Sequence, residues 1–407
     1  MAWRIAEAVR AEGGRVFYVG GFVRDGLMGR ENKDIDIEVH GISVRALEAI
    51  LDGLGTRVSM GASFGVMGLQ HYDVDIAMPR SERATGRGHK DFEVFVDPFI
   101  GYERAALRRD FTINALMQDV LTGEILDFFG GREDLARGRI RHVSDATFAE
   151  DPLRVFRAAQ FAARFGFSVS EETTRLCRKM AVEALAPERV MGELEKALLK
   201  ANRPSIFFEV LSAMAQLETW FPEMARHPGE QWTHTLDTLN WAAGFRESVA
   251  EPLYFMLAAL MIDLIPSDAC RFLNRLTHET GAAKYALNMI ECRRDAAACL
   301  SASAGEEEWM ALLDRAACPA DLGPLAMAAG CRPEEGKTIA AMFGLYRERM
   351  NRPFVMGRDL VAAGIHPGPE MGAALKHAHR LRLQGVSKDE QLSQTLEWFR
   401  ARSDKGR

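Results

Sequence analysis

The sequence predicts an α+β protein in which a small mixed α/β head precedes a long all-helical remainder. Up to about residue 143, short apolar runs with a period of two alternate with glycine-containing turns, which is typical of strands. From about residue 147 onward, apolar residues recur at the helical period almost without interruption. A chain of 407 residues with 47% hydrophobic content has room for two or more domains with buried cores. We expect a head over 1–143, a helical neck over 144–225, and a helical body and tail over 226–407.

Composition limits the class of protein. No apolar run approaches the roughly 20 residues that cross a bilayer, and the amphipathic N-terminus lacks the apolar core of a signal peptide. The net charge of −6 means that any nucleic acid must meet a local basic face. We therefore expect a cytoplasmic protein with no membrane association and no evident stable protein partner. The cysteines are scattered without a C-x-x-C motif, so we interpret them as reduced thiols: Cys177, Cys270, Cys292, Cys299, Cys318 and Cys331.

The elements of the head follow from local patterns. A short amphipathic helix over residues 1–12 leads into an apolar strand at Val16–Val19. Ser43–Leu54 has a serine N-cap and helical spacing. Ser81–Lys90 is polar, basic and glycine-containing, which indicates a mobile loop. Further strands are predicted at Arg57–Met60, Val66–His71 and Asp73–Met78.

The stretch Tyr18–His40 carries the first candidate site. After the apolar strand come Gly20 and Gly21, where a ligand can approach the backbone closely because glycine has no Cβ. Arg24 follows, near the start of a short helix. A lone Gly-Gly pair is usually only a turn, so the stretch gains weight from what comes next along the chain.

Asp34 and Asp36 lie on the next predicted strand, two residues apart and therefore on one face. Two such carboxylates repel each other unless a cation lies between them, which favours metal-assisted phosphoryl or nucleotidyl transfer. A lone D-x-D is more often a solvated edge or a cap. Asp75, in V-D-I-A-M-P, is either a third carboxylate of the same site or a solvent-facing residue of an edge strand.

Residues 107–116, L-R-R-D-F-T-I-N-A-L, form a second cluster with apolar residues at helical spacing. Arg109 suits bidentate contact with phosphate, and Asp110 and Asn114 suit the hydroxyls of a ribose. A helix start with an ordinary ion pair is an equal alternative. Residues 122–131 predict a hairpin or turn that closes the head. The arginines of 132–143 face phosphate or belong to a solvated surface.

A long helix over residues 150–167 opens the helical region. Asp151 as N-cap and Pro152 at the first helical position favour its start, and Gly166 its end. Asp151, Arg154 and Arg157 also fall on one face of this helix. Further helices are predicted at 170–181, 188–200, 204–215, 233–245 and 252–262, with a turn at 364–369 and a capping box at 387–390.

Together these clusters resemble the class II tRNA nucleotidyltransferase family, which includes CCA-adding enzymes and bacterial poly(A) polymerases. The resemblance covers about residues 15–225 well and the C-terminal half loosely. It implies a polymerase-beta-like nucleotidyltransferase head and an elongated helical neck, body and tail. The matching stretches are V-G-G-F-V-R-D with D-I-D, R-R-D-F-T-I-N-A, E-D-P-L-R-V-F-R-A-A-Q-F-A-A-R-F and P-E-R-V-M-G-E-L-E-K-A-L-L.

The resemblance implies a role for each candidate residue. Asp34 and Asp36 would be the catalytic carboxylates and would bind Mg²⁺ in a two-metal transfer to a primer 3′-hydroxyl. The implied nucleotide-binding residues are Gly21 and Arg24 for the triphosphate, Arg109, Asp110 and Asn114 around the ribose, and Asp151, Arg154 and Arg157 for the base and phosphates.

The base-reading role has an independent physical argument. Cytosine and adenine both present an amino donor beside a ring-nitrogen acceptor, whereas guanine and uracil present the reverse. An aspartate acceptor with an arginine donor therefore fits C and A and opposes G and U. We accordingly favour a binding role for Asp151, which it can combine with capping.

The expected function is an enzyme that adds or repairs the 3′-terminal CCA of tRNA from CTP and ATP, with tRNA as its RNA partner. The loop Ser81–Asp91 resembles the flexible loop associated with the switch from C to A addition. The alternatives are a CC-adding or A-adding enzyme, a poly(A) polymerase, and an RNA-binding protein with an inactive site.

The sequence departs from the family in two informative places. Some members carry a phosphohydrolase domain with an H…H-D metal motif. Here His234 matches its first histidine, but the residue directly before Asp263 is Ile262 and not histidine. We therefore predict a degenerate site without phosphohydrolase activity. Gln160 stands where many relatives have arginine, which removes one expected phosphate contact.

Overall fold

The structure is a computed structural model that describes residues 1–59, 66–84, 92–226 and 229–404. The chain divides into two compact units. The first comprises Met1–Ala201 with Ile206–Ala225, and the second Asn202–Ser205 with Arg226–Arg407. All strands in the described residues lie in the first unit, so the predicted α+β class is confirmed. A head–neck boundary at 143/144 stays a prediction.

The elements of the first unit are short and follow one another closely. The strands are β1 (Arg15–Val19), β2 (Ile35–His40), β3 (Arg57–Ser59), β4 (Val66–Leu69), β5 (Tyr72–Ala77), β6 (Arg80–Ala84), β7 (Phe92–Val96), β8 (Met117–Asp119), β9 (Ile125–Leu126), β10 (Arg139–Ile140) and β11 (Ser168–Val169). The helices up to residue 225 are α1 (Ala2–Ala11), α2 (Gly21–Leu27), α3 (Val44–Leu54), α4 (Tyr102–Ala106), α5 (Gly131–Ala136), α6 (Asp145–Ala149), α7 (Leu153–Phe165), α8 (Glu171–Cys177), α9 (Pro187–Lys200), α10 (Ser205–Ala213), α11 (Leu217–Trp220) and α12 (Pro222–Ala225), with a 3₁₀ helix at Thr112–Asn114.

A seven-stranded mixed sheet forms the head, in the order β3-β4-β5-β2-β1-β8-β9. The central strand β2 pairs antiparallel with β1 and parallel with β5. A hairpin or turn was predicted at 122–131, and the structure has a hairpin of β8 and β9 that begins earlier, at Met117, and ends at Leu126. Strands β6 and β7 form a separate antiparallel pair.

The two faces of β2 have different neighbours because successive side chains of a strand point to opposite sides. Ile37 and Val39 are fully buried in a core cluster with Ile5 of α1 and Leu47 of α3. Helices α1 and α3 therefore cover one face of the sheet. The alternate residues of β2, which include Asp36, face the other side, where the candidate site lies.

Several local predictions are confirmed, and others are corrected. The Ser43 hydroxyl accepts from the Ala46 N–H at 3.2 Å and caps α3. The stretch 107–116 is a turn followed by one 3₁₀ turn, so the α-helix that its apolar spacing indicates does not form there. The predicted loop 81–90 is also corrected, because β6 extends to Ala84. The rest of that loop, residues 85–91, lies outside the described residues.

Helix α7 runs from Leu153 to Phe165, which is shorter at its start than the predicted 150–167. Pro152 takes the cap position and Asp151 precedes it, yet the Asp151 Oδ1 still accepts from the Leu153 N–H at 3.1 Å. Gly166 ends the helix with φ of 70°, a left-handed conformation that glycine adopts readily.

The regular elements that the structure describes in the second unit are all helices, joined by turns and loops. Ser387 and Glu390 form the predicted capping contact, with the Ser387 hydroxyl donating to Glu390 at 2.8 Å. None of the described helices is long and apolar enough to cross a membrane. Its helices are α13 (Gly229–Ala242), α14 (Pro252–Leu260), α15 (Pro266–Leu276), α16 (Thr280–Ser301), α17 (Glu306–Arg315), α18 (Leu322–Ala328), α19 (Pro333–Asn351), α20 (Gly357–Ala362), α21 (Pro369–Leu383) and α22 (Lys388–Asp404), with 3₁₀ turns at Ala243–Ser248 and Pro319–Asp321.

Candidate active site

A cavity of about 860 Å³ opens on the polar face of the sheet, within the first unit. Its walls come from β2 and β5, the turn after α4, and helices α2, α7 and α9. All of the predicted site residues line it, although they come from distant parts of the sequence. They are Gly21, Arg24, Asp34, Asp36, Arg109, Asp110, Asn114, Asp151, Arg154 and Arg157.

Carboxylates are concentrated at the β2–β5 side of the cavity. Asp36 and Asp75 are direct partners in the parallel β2–β5 register, and Asp34 immediately precedes β2. Because β5 lies between β4 and β2, Asp75 is not on an edge strand. Burial raises the pKa of Asp36, and the negative charges of Asp75 and Asp34 raise it further. The three carboxylates thus form a cluster of like charge that favours a cation.

The donor set fits magnesium, which prefers hard oxygen ligands and usually takes only one or two protein carboxylates together with waters and substrate phosphates. In the described residues, no three histidine, cysteine, aspartate or glutamate side chains converge into a complete metal site. Asp34 and Asp36 would therefore supply part of a coordination shell that substrate oxygens complete. Asp75 is the register partner of Asp36 and adds negative charge, but it does not complete a three-carboxylate metal group with them.

Arg109 lies next to this cluster and is held by a residue that the sequence analysis did not select. Its Nη2 donates to the Glu38 Oε2 at 3.0 Å, and the other Glu38 oxygen contacts the His40 Nε2 at 2.8 Å. Although burial alone would raise it, the pKa of Glu38 is lowered by these two contacts. The alternation D-x-D-x-E-x-H is the sequence signal that predicts one face for Asp34, Asp36, Glu38 and His40, of which the last three lie on β2.

The Gly-Gly turn leads into α2, which positions Arg24. Gly20 has φ of 64°, a conformation that favours glycine. Arg24 is only 3% exposed, and burial lowers its pKa. Its Nη1 donates to the Asn114 Oδ1 at 2.6 Å and its Nε to the Asp25 Oδ1 at 2.8 Å. Arg24 therefore connects the stretch that follows the Gly-Gly turn to the stretch 107–116.

Asp110 is the buried residue of the stretch 107–116 to which several neighbouring groups hydrogen-bond. Its Oδ1 accepts from the Asn114 Nδ2 at 2.9 Å and from the Phe111 N–H at 2.8 Å, while its Oδ2 accepts from the Arg157 Nε at 2.7 Å. Burial alone would raise the pKa of Asp110, but Arg157 and these hydrogen bonds hold it below its ordinary value. Direct contact between Asp110 and a ribose stays a prediction.

Asp151 and Arg154 are positioned by different partners. The Asp151 Oδ2 accepts from the Arg189 Nη2 of α9 at 2.8 Å, a contact between distant segments that no local pattern predicts. Arg154 donates to the backbone carbonyls of Thr147 and Arg108. Burial lowers the pKa of Arg154, and the nearby Asp110 and Asp151 oppose that effect. Both proposed base-reading groups are thus fixed before any nucleotide arrives.

Gln160 also lines the cavity and is 2% exposed. Its amide nitrogen is buried and has no hydrogen-bond partner among the residues that the structure describes.

The basic stretch 132–143 supplies two arginines to an ion-pair cluster inside the head. Arg139 and Arg141 pair with the fully buried Asp134 at 2.6 and 2.8 Å, so these two arginines stabilise the head.

Comparison with known proteins identifies the family to which this chain belongs. Residues 16–141 match the model of the poly A polymerase head domain, and residues 166–227 match that of the probable RNA and SrmB-binding site of polymerase A. A CCA-adding enzyme of Pseudomonas putida is 36% identical over 308 residues, which cover 74% of this chain and 78% of that protein. The chain belongs to the class II tRNA nucleotidyltransferase and poly(A) polymerase family.

Other members of the family match over a smaller share of their length. The chain is 46% identical to a multifunctional CCA protein of Nitrosococcus oceani over 243 residues, which are 56% of this chain and 58% of that protein. It is 40% identical to a multifunctional CCA protein of Cupriavidus taiwanensis, covering 61% of this chain and 63% of the relative. The chain therefore spans less than two thirds of the length of these two relatives.

Solved structures of the family share the fold. A Thermotoga maritima CCA-adding enzyme complexed with tRNA superposes with a TM-score of 0.72 at 22% identity, covering 97% of this chain and 94% of that one. An apo CCA-adding enzyme gives a TM-score of 0.75 at 23% identity, with 98% and 94% covered. The fold predicted from the family resemblance, a mixed α/β head followed by a helical remainder, is thus confirmed.

The region of the second unit that departs from the family motif is an internal hydrogen-bond cluster. The His234 Nδ1 contacts the Asp263 Oδ2 at 2.7 Å, and the Thr235 hydroxyl donates to the same oxygen at 2.8 Å. Arg293 donates to the Ala329 carbonyl at 3.2 Å. Burial lowers the pKa of Arg293, and the negative charge of Asp263 partly opposes that effect. Absence of phosphohydrolase activity stays a prediction.

The basic helix near the C-terminus, α21, makes contacts inside the second unit. Arg382 lies over the Phe354 ring, 3.9 Å from its centroid, and His379 contacts Asp314 at 2.9 Å. The His377 ring stacks on Trp398. These three basic residues therefore help to hold the C-terminal helices together.

Proposed function

We propose that this chain is a template-independent nucleotidyltransferase that adds or repairs the 3′-terminal CCA of tRNA from CTP and ATP. Magnesium is the proposed cofactor and tRNA the proposed RNA partner. The observation that carries the proposal is that one cavity contains both Asp34 and Asp36, at the start of β2, and Asp151 and Arg154, at the start of α7. The names of relatives and of solved family members, among them complexes with CTP and with ATP, support it.

In the proposed reaction, the primer 3′-hydroxyl loses its proton to solvent, and its oxygen forms a bond to the α-phosphorus of the nucleotide. The bond from that phosphorus to the bridging oxygen breaks, and pyrophosphate leaves with its electron pair. Magnesium bound at Asp34 and Asp36 would activate the hydroxyl and offset the phosphate charge. The arginines of the cavity bind and orient the triphosphate, since guanidinium groups match phosphate oxygens.

The protein selects the base through fixed hydrogen-bonding groups. The Asp151 carboxylate accepts from the exocyclic amino group of C or A, and Arg154 donates to the adjacent ring nitrogen. With guanine or uracil, the carboxylate would face a carbonyl oxygen and the guanidinium an N–H donor. Arg189 keeps the Asp151 carboxylate oriented through its 2.8 Å ion pair. The remaining lone pairs of the carboxylate are available to the base.

The test uses purified protein, magnesium and a tRNA transcript that ends just before CCA. Products are resolved on a gel after incubation with CTP, with ATP, or with both. Addition of two residues with CTP and three with both nucleotides supports the proposal. Two residues in both cases indicate a CC-adding enzyme, and no extension with any mixture contradicts an active enzyme.

A poly(A) polymerase is the second candidate, because the family model that matches residues 16–141 is that of the poly A polymerase head domain. It would build a long ladder of A residues from ATP alone on unstructured RNA. A transcript without tRNA structure, incubated in parallel, separates this outcome from CCA addition.

A further inference from the structure

Glu38 stands two residues after Asp36 on β2 and points to the same face. It is only 8% exposed, and its carboxylate contacts two basic side chains. A buried charge of this kind is costly unless its partners are well placed. Its partners therefore indicate what the residue does.

Each carboxylate oxygen of Glu38 has its own partner. Oε2 accepts from Arg109 at 3.0 Å, and Oε1 contacts the His40 Nε2 at 2.8 Å. His40 is 2% exposed and packs edge-on against the rings of Phe17 and Tyr102. The carboxylate is thus fixed from the core side and presents one oxygen to Arg109.

Arg109 is also close to the proposed metal ligand. Its Nη1 and the Asp36 Oδ2 each lie 3.7 Å from the point that a Cβ on Gly20 would occupy. A guanidinium that paired fully with Asp36 would occupy the oxygens that a cation needs.

We propose that Glu38 is a positioning residue that retains the Arg109 guanidinium and so keeps the Asp36 carboxylate available to a divalent cation. This inference rests on the proposed function, in which Asp36 binds metal. Arg109 then contributes positive charge beside the nucleotide without neutralising the metal ligand. His40 contributes by fixing the carboxylate of Glu38.

The test measures Mn²⁺ binding by electron paramagnetic resonance on the full chain without RNA or nucleotide. The key variant is Glu38→Asp, which keeps the charge but withdraws the carboxylate from Arg109 by one methylene. We expect about tenfold weaker Mn²⁺ binding, within the range of coupling between contacting charged residues. Affinity equal to that of the wild type would overturn the proposal, as would a wild-type protein that binds no Mn²⁺.

Glu124→Asp is the matched control. Glu124 also pairs with an arginine at 3.0 Å, but it is exposed and pairs with Arg15 outside the cavity. We expect this variant to bind Mn²⁺ as the wild type does. Thermal melting of both variants shows whether they are folded.

A double-mutant cycle separates positioning from simple loss of negative charge. Glu38→Gln is measured alone and together with Arg109→Gln. If Glu38 acts by retaining Arg109, the Glu38→Gln effect disappears when Arg109 is already absent. An equal effect in both backgrounds would mean a through-space charge effect and would overturn the positioning role.

The outcome does not depend on the transfer assay. Failure of the wild-type protein to extend tRNA would contradict the proposed function but leave the Mn²⁺ comparison intact. Normal CCA addition with unchanged Mn²⁺ binding in Glu38→Asp would reject only the role of Glu38.

Discussion

Arg157 clamps the buried carboxylate of Asp110, with its Nε at 2.7 Å and its Nη2 at 2.6 Å from the same oxygen. The two residues are 47 positions apart in the sequence. Their pairing joins α7 to the turn that follows α4 and fixes one wall of the cavity. The other oxygen of Asp110 is already used by Asn114 and a backbone N–H.

Replacement of Arg157 by alanine should destabilise the first unit, because it leaves a buried carboxylate without its cation. We expect the free energy of unfolding to fall by about 3 kcal/mol. Urea titration with circular dichroism measures this. Arg137→Ala is the control, since its ion pair with Glu133 is exposed and should contribute under about 1 kcal/mol.

The Arg157 effect should depend on pH in a defined direction. The folded pKa of Asp110 is below its ordinary value of 3.8, so the pair stabilises the protein above about pH 4. That contribution is lost as the pH falls through the lowered pKa. The difference between wild type and Arg157→Ala should therefore shrink on acidification from pH 6 to pH 3. A difference that stays constant would contradict the assignment.

Asp34→Ala should abolish nucleotide transfer while tRNA binding persists, because the carboxylate is proposed to bind metal. We expect a loss of at least about 10³-fold in rate, as is common when a central catalytic group is removed. A gel assay and a filter-binding assay give the two readouts. Asp52→Ala, on α3 across the sheet, should behave as the wild type. Substantial activity in Asp34→Ala would exclude its catalytic role.

Arg154→Ala should weaken discrimination against UTP and GTP, because the donor to the ring nitrogen is lost. We expect the ratio of kcat/KM for CTP over UTP to fall about tenfold or more, consistent with the loss of one hydrogen bond from a charged donor. Incorporation of each nucleotide into a tRNA transcript measures the ratio. Unchanged selectivity in a folded variant would rule out base recognition by Arg154.

In the second unit, Tyr285 donates its hydroxyl to Asp321, which is 2% exposed. Burial, with Asp321 beside it, raises the pKa of Tyr285. Tyr285→Phe should lower the free energy of unfolding by about 2 kcal/mol, because it removes a donor from a buried carboxylate. Tyr254→Phe is the matched control, as Tyr254 donates to the exposed Glu279 at 3.3 Å. Equal effects of both changes would contradict this.

Local patterns predicted the fold class and selected the candidate residues, and the family resemblance implied the roles of those residues. Alternation from Asp34 into β2 placed Asp34 and Asp36 on one face, and the period of 3.6 from Asp151 into α7 placed Asp151, Arg154 and Arg157 together. Helix ends at Ser43 and Gly166 followed from capping chemistry. These signals lie within about 20 residues of the sequence and need no knowledge of packing.

Contacts between distant segments were not predictable in this way. The parallel register that sets Asp36 beside Asp75 depends on which strands become neighbours. The stretch 107–116 has helical spacing, but the hydrogen bonds of Asp110 with Asn114 and Arg157 stabilise a turn there. Arg189 reaches Asp151 only because α9 packs on α7. Such pairings are decided by tertiary structure and override local propensity.

We propose that one nucleotide site accepts both C and A through Asp151 and Arg154. Equilibrium binding with a fluorescent ATP analogue, the wild-type protein and no RNA distinguishes this site from two separate ones. We expect one binding site per chain, complete displacement of the analogue by CTP, and weak displacement by UTP and GTP. Equal displacement by all four nucleotides, or simultaneous binding of CTP and the ATP analogue, would contradict it.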